Sequence, residues 1–271
     1  MRKAIAWTIL LIWVGAISWN IRRELFRPEA ERLALGAATL PPGVGYYQVD
    51  HSQRQPAGWA SIQIDTLPGR SGILIRELYT IRIPGLGEAG HVETRGQTWL
   101  NFRIELDSLT RVIVRGSDTV RIRAAVVGDS LDWESSTESA VRRLPAIAVQ
   151  TAASWPLRFV AGGGAPTGET RRVSLLDPVA GTVRDIDLNV IAEARRVFAD
   201  SADTDPDTNE WLVAGTDTVT AWQIESAEAF ETPTWVDEDG RILEADIAGG
   251  MRLYRTAFEL AFFRDQEETG P

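Results

Sequence analysis

A chain of 271 residues with a formal charge of −10 and no cysteine is long enough for one large domain or two ordinary ones. It cannot form disulfides, thiolate metal sites or thiol nucleophiles, and it has the wrong overall sign for a surface that tracks nucleic-acid phosphates. Ten Trp against two Met supply large rings with one polar edge, suited to sheet faces, pocket walls and membrane interfaces.

Residues 4–19 are apolar except for Thr8 and Ser18, follow Met1-Arg2-Lys3, and reach Ile21 only by including Asn20. That is the short end of the length needed to span a bilayer, with Trp7, Trp13 and Trp19 placed as interfacial anchors. The expectation is an N-terminal transmembrane anchor over residues 1–21; Val14-Gly15-Ala16 makes a cleaved signal peptide the competing reading. Arg22, Arg23, Arg27 and Arg32 follow the segment, so the positive-inside rule does not favour export, but long domains translocate largely regardless of nearby charge. The expected location is therefore the cell inner membrane, single-pass, held through residues 4–21, with the bulk of the chain periplasmic. Residues 22–42 read as a polar, partly helical stalk ended by Pro41-Pro42-Gly43.

Residues 43–263 read as one antiparallel β domain, and residues 264–271 as a frayed tail. Strands are expected at 46–51 and 59–66, followed by a turn at Leu67-Pro68-Gly69. In 73–83, Ile73, Ile75, Tyr79, Ile81 and Ile83 share a face with Glu77. A carboxylate facing a core must be paired, neutralised or open to water, so Glu77 is either a ligand-orienting group or half of an ion pair with a neighbouring Arg. Residues 91–109 carry the clearest period of two: Val92, Thr94, Gly96, Thr98, Leu100, Phe102, Ile104 and Leu106 point one way, which predicts one long strand with a dry face and a wet one. Strands at 110–115, 119–127 and 131–135 complete a meander through the turns Gly116-Ser117-Asp118 and Gly128-Asp129-Ser130. Arg95, Arg103, Arg111, Arg115, Arg121 and Arg123, mixed with Glu93, Glu105 and Asp107, are expected on its outward face.

The period changes at Leu144. Residues 145–155 lack alternation, are rich in Ala and begin with Pro145, which predicts a short helix whose plug continues through Trp155, Leu157, Phe159 and Val160. Gly162-Gly163-Gly164 has no phosphate-binding signature after it and reads as a connection. A second set of strands follows at 170–176, 182–190, 194–198, 211–214, 219–225, 234–236 and 241–247, separated by the turns 177–181, 215–217 and 237–240. Residues 251–263 close the domain as a strand or as a strand with a helical end.

The fold class expected is thus mainly β: a curved antiparallel half-barrel covered by a short apolar helix. Its candidate ligand face is Leu100, Phe102 and Ile104 with Trp155, Phe159 and Glu77. The acidic stretch 200–210 lacks the glycine and glutamate of a calcium loop, His51 and His91 have no HExxH context, and no GxSxG elbow is present. No metal, cofactor or enzymatic role is therefore expected. A hydrolase using Glu77 with His51 or His91 is retained only on condition that these side chains converge.

The succession of strands, plug helix and strands carrying Leu176-Asp177-Pro178-Val179-Ala180-Gly181 and later Trp235-Val236-Asp237-Glu238-Asp239-Gly240-Arg241-Ile242-Leu243 resembles two groups. One is the periplasmic lipoprotein-carrier half-barrel of LolA/LolB type. The other is the β domain preceding transglutaminase-like cores in bacterial membrane proteins. The chain departs from the second group's enzymes by having no cysteine, and from lipid-anchored carriers by lacking a lipobox cysteine. What the resemblance implies is a membrane-tethered domain that binds an apolar ligand or a partner envelope protein; the alternative is a structural accessory subunit with a filled core.

Overall fold

The computed structural model describes residues 29–51, 55–66, 72–83, 87–226, 233–247 and 250–263, together with Trp13. The expected membrane segment (Trp13 apart), the turn at 67–69 and the tail at 264–271 lie outside these residues. Among the described residues no helix is long and apolar enough to cross a membrane.

After helix α1 (Glu29–Thr39), a first meander runs through β1 (Gly43–His51), β2 (Pro56–Thr66), β3 (Gly72–Arg82), β4 (His91–Asn101), β5 (Leu106–Arg115), β6 (Asp118–Val127), β7 (Ser130–Ser135) and β8 (Arg142–Pro145). The short β9 (Val149–Gln150) and helix α2 (Trp155–Ala161) lead into a second meander. It comprises β10 (Thr170–Asp177), β11 (Thr182–Thr204), β12 (Trp211–Glu225), β13 (Thr234–Asp237), β14 (Ile242–Ile247) and β15 (Met251–Thr256), followed by helix α3 (Phe258–Phe262). All belong to one sheet, because β1 pairs antiparallel with β15 from Tyr46↔Thr256 to His51↔Met251 and so joins the two meanders.

The end strands of the sheet, β8 and β9, are not laddered to each other. Side chains bridge the gap instead. Trp133 Nε1 donates to the carbonyl of Pro178 at 2.9 Å and Arg142 donates to that of Ala180 at 3.1 Å, while the Arg142 guanidinium lies 5.0 Å above the Trp133 ring. Gln150 Nε2 donates to the Ile104 carbonyl at 2.7 Å. The sheet is thereby curved and barrel-like, open in its ladder between β8 and β9 and bridged there by side chains.

The alternation of apolar residues sets the inside. Tyr47, Val49, Ile62, Ile64, Ile73, Ile75 and Leu100 pack in one buried group with Leu157 of α2, whereas Trp155 and Phe159 pack with Ile186, Leu188, Val190 and Val236 of the second meander. The helix therefore ties the two meanders together from within, as expected of a plug. Helix α1 lies on α2 so closely that a Cβ added at Gly36 would stand 2.5 Å from the Ala161 carbonyl oxygen; Leu33 and Ala37 of its face, and Leu40 just after it, are buried.

Several sequence expectations change, among them the break expected between 190 and 194, through which β11 runs on to Thr204. The long strand over 91–109 is two strands with a turn between them. Asn101 Oδ1 accepts the backbone N–H of Arg103 at 2.8 Å and of Glu105 at 3.1 Å, and Ile104 takes a φ of 57°, so the period of two runs across a bend that an Asn side chain stabilises. The helix expected over 145–155 begins where that segment ends, at Trp155, with Pro156 in its first turn; residues 145–154 carry the end of β8, β9 and a hydrogen-bonded turn. The break at 215–217 is absent: β12 runs through Gly215 opposite Ser201, with register shifts at Ala199/Ser201 and Ser201/Ala202. A bulge absorbs the turn-like residues within the ladder. Finally, Arg111 faces inward rather than outward, in phase with the buried Leu109 and directly opposite Gly96.

Candidate functional site

Inside the barrel, Glu77, Gly96 and Arg111 occupy one row across β3, β4 and β5. Arg111 Nη2 donates to Glu77 Oε2 at 2.7 Å, and the Tyr79 hydroxyl donates to Glu77 Oε1 at 3.1 Å. This ion pair reaches over an entire intervening strand, and Gly96 leaves it room: a Cβ at position 96 would stand 3.3 Å from Glu77 Oε2 and 3.4 Å from Arg111 Nε, a tight contact for the pair. The Glu77 and Arg111 side chains are 2% and 15% exposed. Burial pushes the Tyr79 phenol well above the usual tyrosine range, and the Glu77 carboxylate beside it adds to the shift. Tyr47 is raised likewise, chiefly by burial.

The Trp235–Leu243 stretch forms the β13–β14 hairpin expected of it and also a second buried pair. Asp237 Oδ1 accepts the backbone N–H of Asp239 at 3.0 Å and of Arg241 at 2.7 Å, while its Oδ2 meets Arg255 at 2.6 Å. Burial raises the Asp237 carboxyl, opposed by the Arg241 backbone hydrogen bond and the Arg255 charge.

One gap inside the barrel is narrow. Between Tyr47, Ile62, Ile64, Ala153 and the Gly240–Ile242 segment the remaining void is about 10 Å³, at the lower limit for one water. Leu100 and Ile104 are buried in this packing. Phe102 stands outside it, 44% exposed on the Asn101 turn with the Arg103 guanidinium 5.5 Å from its ring centroid. Of the side chains singled out from the sequence, Trp155 and Phe159 line a cavity of ligand size.

That cavity, about 480 Å³, opens at the barrel mouth between α1, α2, β10 and β11. Leu33, Trp155, Phe159, Val173 and Leu188 give it apolar walls, and Arg158, Glu169, Arg171 and Arg172 its polar rim. Its geometry starts from a buried polar turn: the Thr151 N–H donates to Ser154 Oγ at 2.7 Å, Ser154 Oγ donates to Gln150 Oε1 at 3.2 Å, and Gln150 holds the Ile104 carbonyl. The first turn of α2 is thereby fixed to the β4–β5 bend. At the other end, the N–H groups of Gly162 and Gly164 bond the Arg158 and Phe159 carbonyls at 3.1 and 3.2 Å, so the triple glycine ends the helix. Arg171 then donates to the Phe159 carbonyl at 3.3 Å, to the Gly164 carbonyl, and to Glu169 Oε1 at 2.8 Å. Its guanidinium lies 5.2 Å from the Phe159 centroid, and a cation at a helix C-terminus is favourably placed.

Sequence reasoning missed the rim. Arg158, Arg171 and Arg172 lie on a helix and a strand that the folding chain alone brings together; the one local signal was the period of two in 170–176. Arg111 was legible from the alternation Leu109, Arg111, Ile113. His51 and His91 sit on β1 and β4 with two strands between them, three spacings of roughly 4.8 Å each. Glu77 lies five residues along β3 from Arg82, the partner of His91, or roughly 16 Å, so the three do not converge. Among the described residues no group of three His, Asp or Glu side chains is arranged to hold a metal ion.

No family model matches the sequence, and no curated protein matches it. The fold is similar to that of a β-barrel-like protein of the domain of unknown function DUF1849 from Brucella abortus, with 14% identity and a TM-score of 0.50, covering 80% of this chain and 96% of that one. A DUF1089 family protein from Pseudomonas aeruginosa is similar at 10% identity and a TM-score of 0.42, over 72% of this chain and 92% of that one. The architecture is β-barrel-like.

Proposed function

We propose that this chain is a non-enzymatic, membrane-tethered extracytoplasmic domain, held in the inner membrane through residues 4–21, whose barrel mouth receives the apolar part of a ligand or of a partner envelope protein. The observation that carries the reading is the mouth cavity: about 480 Å³ is within the usual range of ligand sites, and in it the apolar side chains of Leu33, Trp155, Phe159, Val173 and Leu188 stand beside the charged Arg158, Glu169, Arg171 and Arg172. In this reading the domain works in the manner of the LolA/LolB-type carriers, or of the β domains that precede transglutaminase-like cores, and the site is the mouth rather than the Leu100–Ile104 face. Native mass spectrometry of the chain isolated from its host tests it. A retained apolar mass or a co-purifying partner is expected, and it is lost when Val173→Trp fills the cavity. Neither mass in the unaltered chain overturns both versions.

The packed interior favours a second reading, a structural accessory subunit without a ligand. It predicts the same spectrum for the unaltered chain and the Val173→Trp variant.

A further inference from the structure

Strands β11 and β12 outrun the sheet. β10 pairs with β11 only over Thr182–Asn189, and β13 pairs with β12 only over Ala221–Ile224. Among the described residues, 192–204 and 211–220 therefore have only each other as ladder partners, forming a two-stranded arm with both edges open. Such a ribbon is marginal alone. Here the body of the protein fixes its root and one flank: Arg196 meets Glu244 at 3.2 Å and lies 4.5 Å from the Trp235 centroid, Arg255 lies 4.1 Å from the Phe198 centroid, and Trp211 stacks on Phe263 at 5.3 Å. The outer part is thus presented by a braced element.

Its surface combines exposed aliphatic side chains with charge of one sign. Val197, Leu212 and Val213 are exposed, and Leu212, Val213 and Ala214 line an open groove of about 350 Å³ with Asp203, Asp205 and Asp207. Residues 197–220 carry Asp200, Asp203, Asp205, Asp207, Glu210 and Asp217 and no Lys, Arg or His. The bonds made by Asp203, Asp205 and Asp217 are to backbone N–H groups one or two residues on, and no ion pair joins these carboxylates to a cation among the described residues. Open edges are ordinarily blunted by charge, but that does not require aliphatic residues to be held in a groove between the charges.

We propose that the outer arm is a docking surface for a basic segment of a partner protein, whose cations pair with Asp203, Asp205 and Asp207 and whose aliphatic side chain seats against Leu212, on the face it shares with Asp203. This surface is separate from the mouth and does not depend on the cavity being a ligand site. Complementary charge draws the partner in and fixes register; the aliphatic contact distinguishes it from other cations.

The test uses the full chain in zwitterionic nanodiscs and a fluorescent peptide of alternating Arg and Leu, followed by anisotropy. Binding is expected to fall with added salt and to weaken by about tenfold in D203N/D205N/D207N. It should also weaken by about fivefold in L212S, whose charge is unaltered. D107N/D118N/D129N, which neutralises exposed carboxylates of the first meander, should leave it unchanged. These side chains are exposed apart from the half-buried Asp205, and an unaltered thermal midpoint confirms that each variant folds. No binding by the unaltered chain overturns the proposal. So does equal loss in the first-meander variant, or retention in L212S, since either reduces the effect to general attraction between opposite charges.

Discussion

Two of the arginine–carboxylate pairs in this barrel contrast: inside, Arg111 with Glu77, whose other oxygen takes the Tyr79 hydroxyl, and at the mouth, Arg171 with Glu169 beside the Phe159 ring. Inside, the two charged side chains are 15% and 2% exposed; at the mouth they are 29% and 40% exposed. The inner pair lies across the Gly96 row and is held by the Tyr79 hydroxyl. The outer pair caps a helix and borders a cavity of about 480 Å³. Low-dielectric surroundings make a broken pair costly inside, whereas water near the mouth screens the charges. The same chemistry thus serves rigidity in one place and leaves room for exchange of partners in the other.

The largest effect expected from this difference is that of Arg111→Met. It strands the Glu77 carboxylate in the interior and should cost about 3–5 kcal/mol, read as a shift of the urea midpoint. Arg171→Met removes the mouth cation, its carbonyl contacts and its stacking on Phe159, and should cost only about 1–2 kcal/mol in the same measurement. Equal costs would break the comparison.

The smallest effect is in pH. The phenols of Tyr47 and Tyr79 are raised by burial, so their contribution to stability is complete below the unfolded value of about 10. It is lost as pH rises from there toward their folded values, because only the unfolded chain ionises them readily. No tyrosine lines the mouth, so this alkaline loss reports on the interior. Tyr79→Phe should make it shallower. Ultraviolet titration should show two of the four tyrosines resisting ionisation until the protein unfolds.

Much of the first meander was legible because a strand's period of two is local: Ile73, Ile75, Glu77 and Tyr79 could be placed on one face from the sequence alone, and the need for Glu77 to find a cation followed. The identity of that cation did not, since Arg111 lies two strands away, across the Gly96 position. The bend after Asn101 was hidden for a related reason: the alternation of Leu100, Phe102, Ile104 and Leu106 continues through it, and what turns the chain is a side chain accepting two backbone N–H groups. Phe102 consequently left the face on which its parity placed it. Trp155 and Phe159 were recognisable as plug residues by their bulk, but their helix starts at Trp155 because the preceding residues are engaged by Gln150, Thr151 and Ser154.

The sequence by itself determined that residues 43–263 build antiparallel strands around an apolar plug, because alternation, turn residues and a run of unalternating apolar side chains are properties of neighbours along the chain. Only the tertiary structure decided that β1 and β15 join the two meanders, that the gap between β8 and β9 is bridged through Trp133, Arg142 and Gln150, and that open space lies at the mouth rather than against Leu100 and Ile104. Those outcomes depend on which distant side chains meet and how completely their volumes fill the space between them.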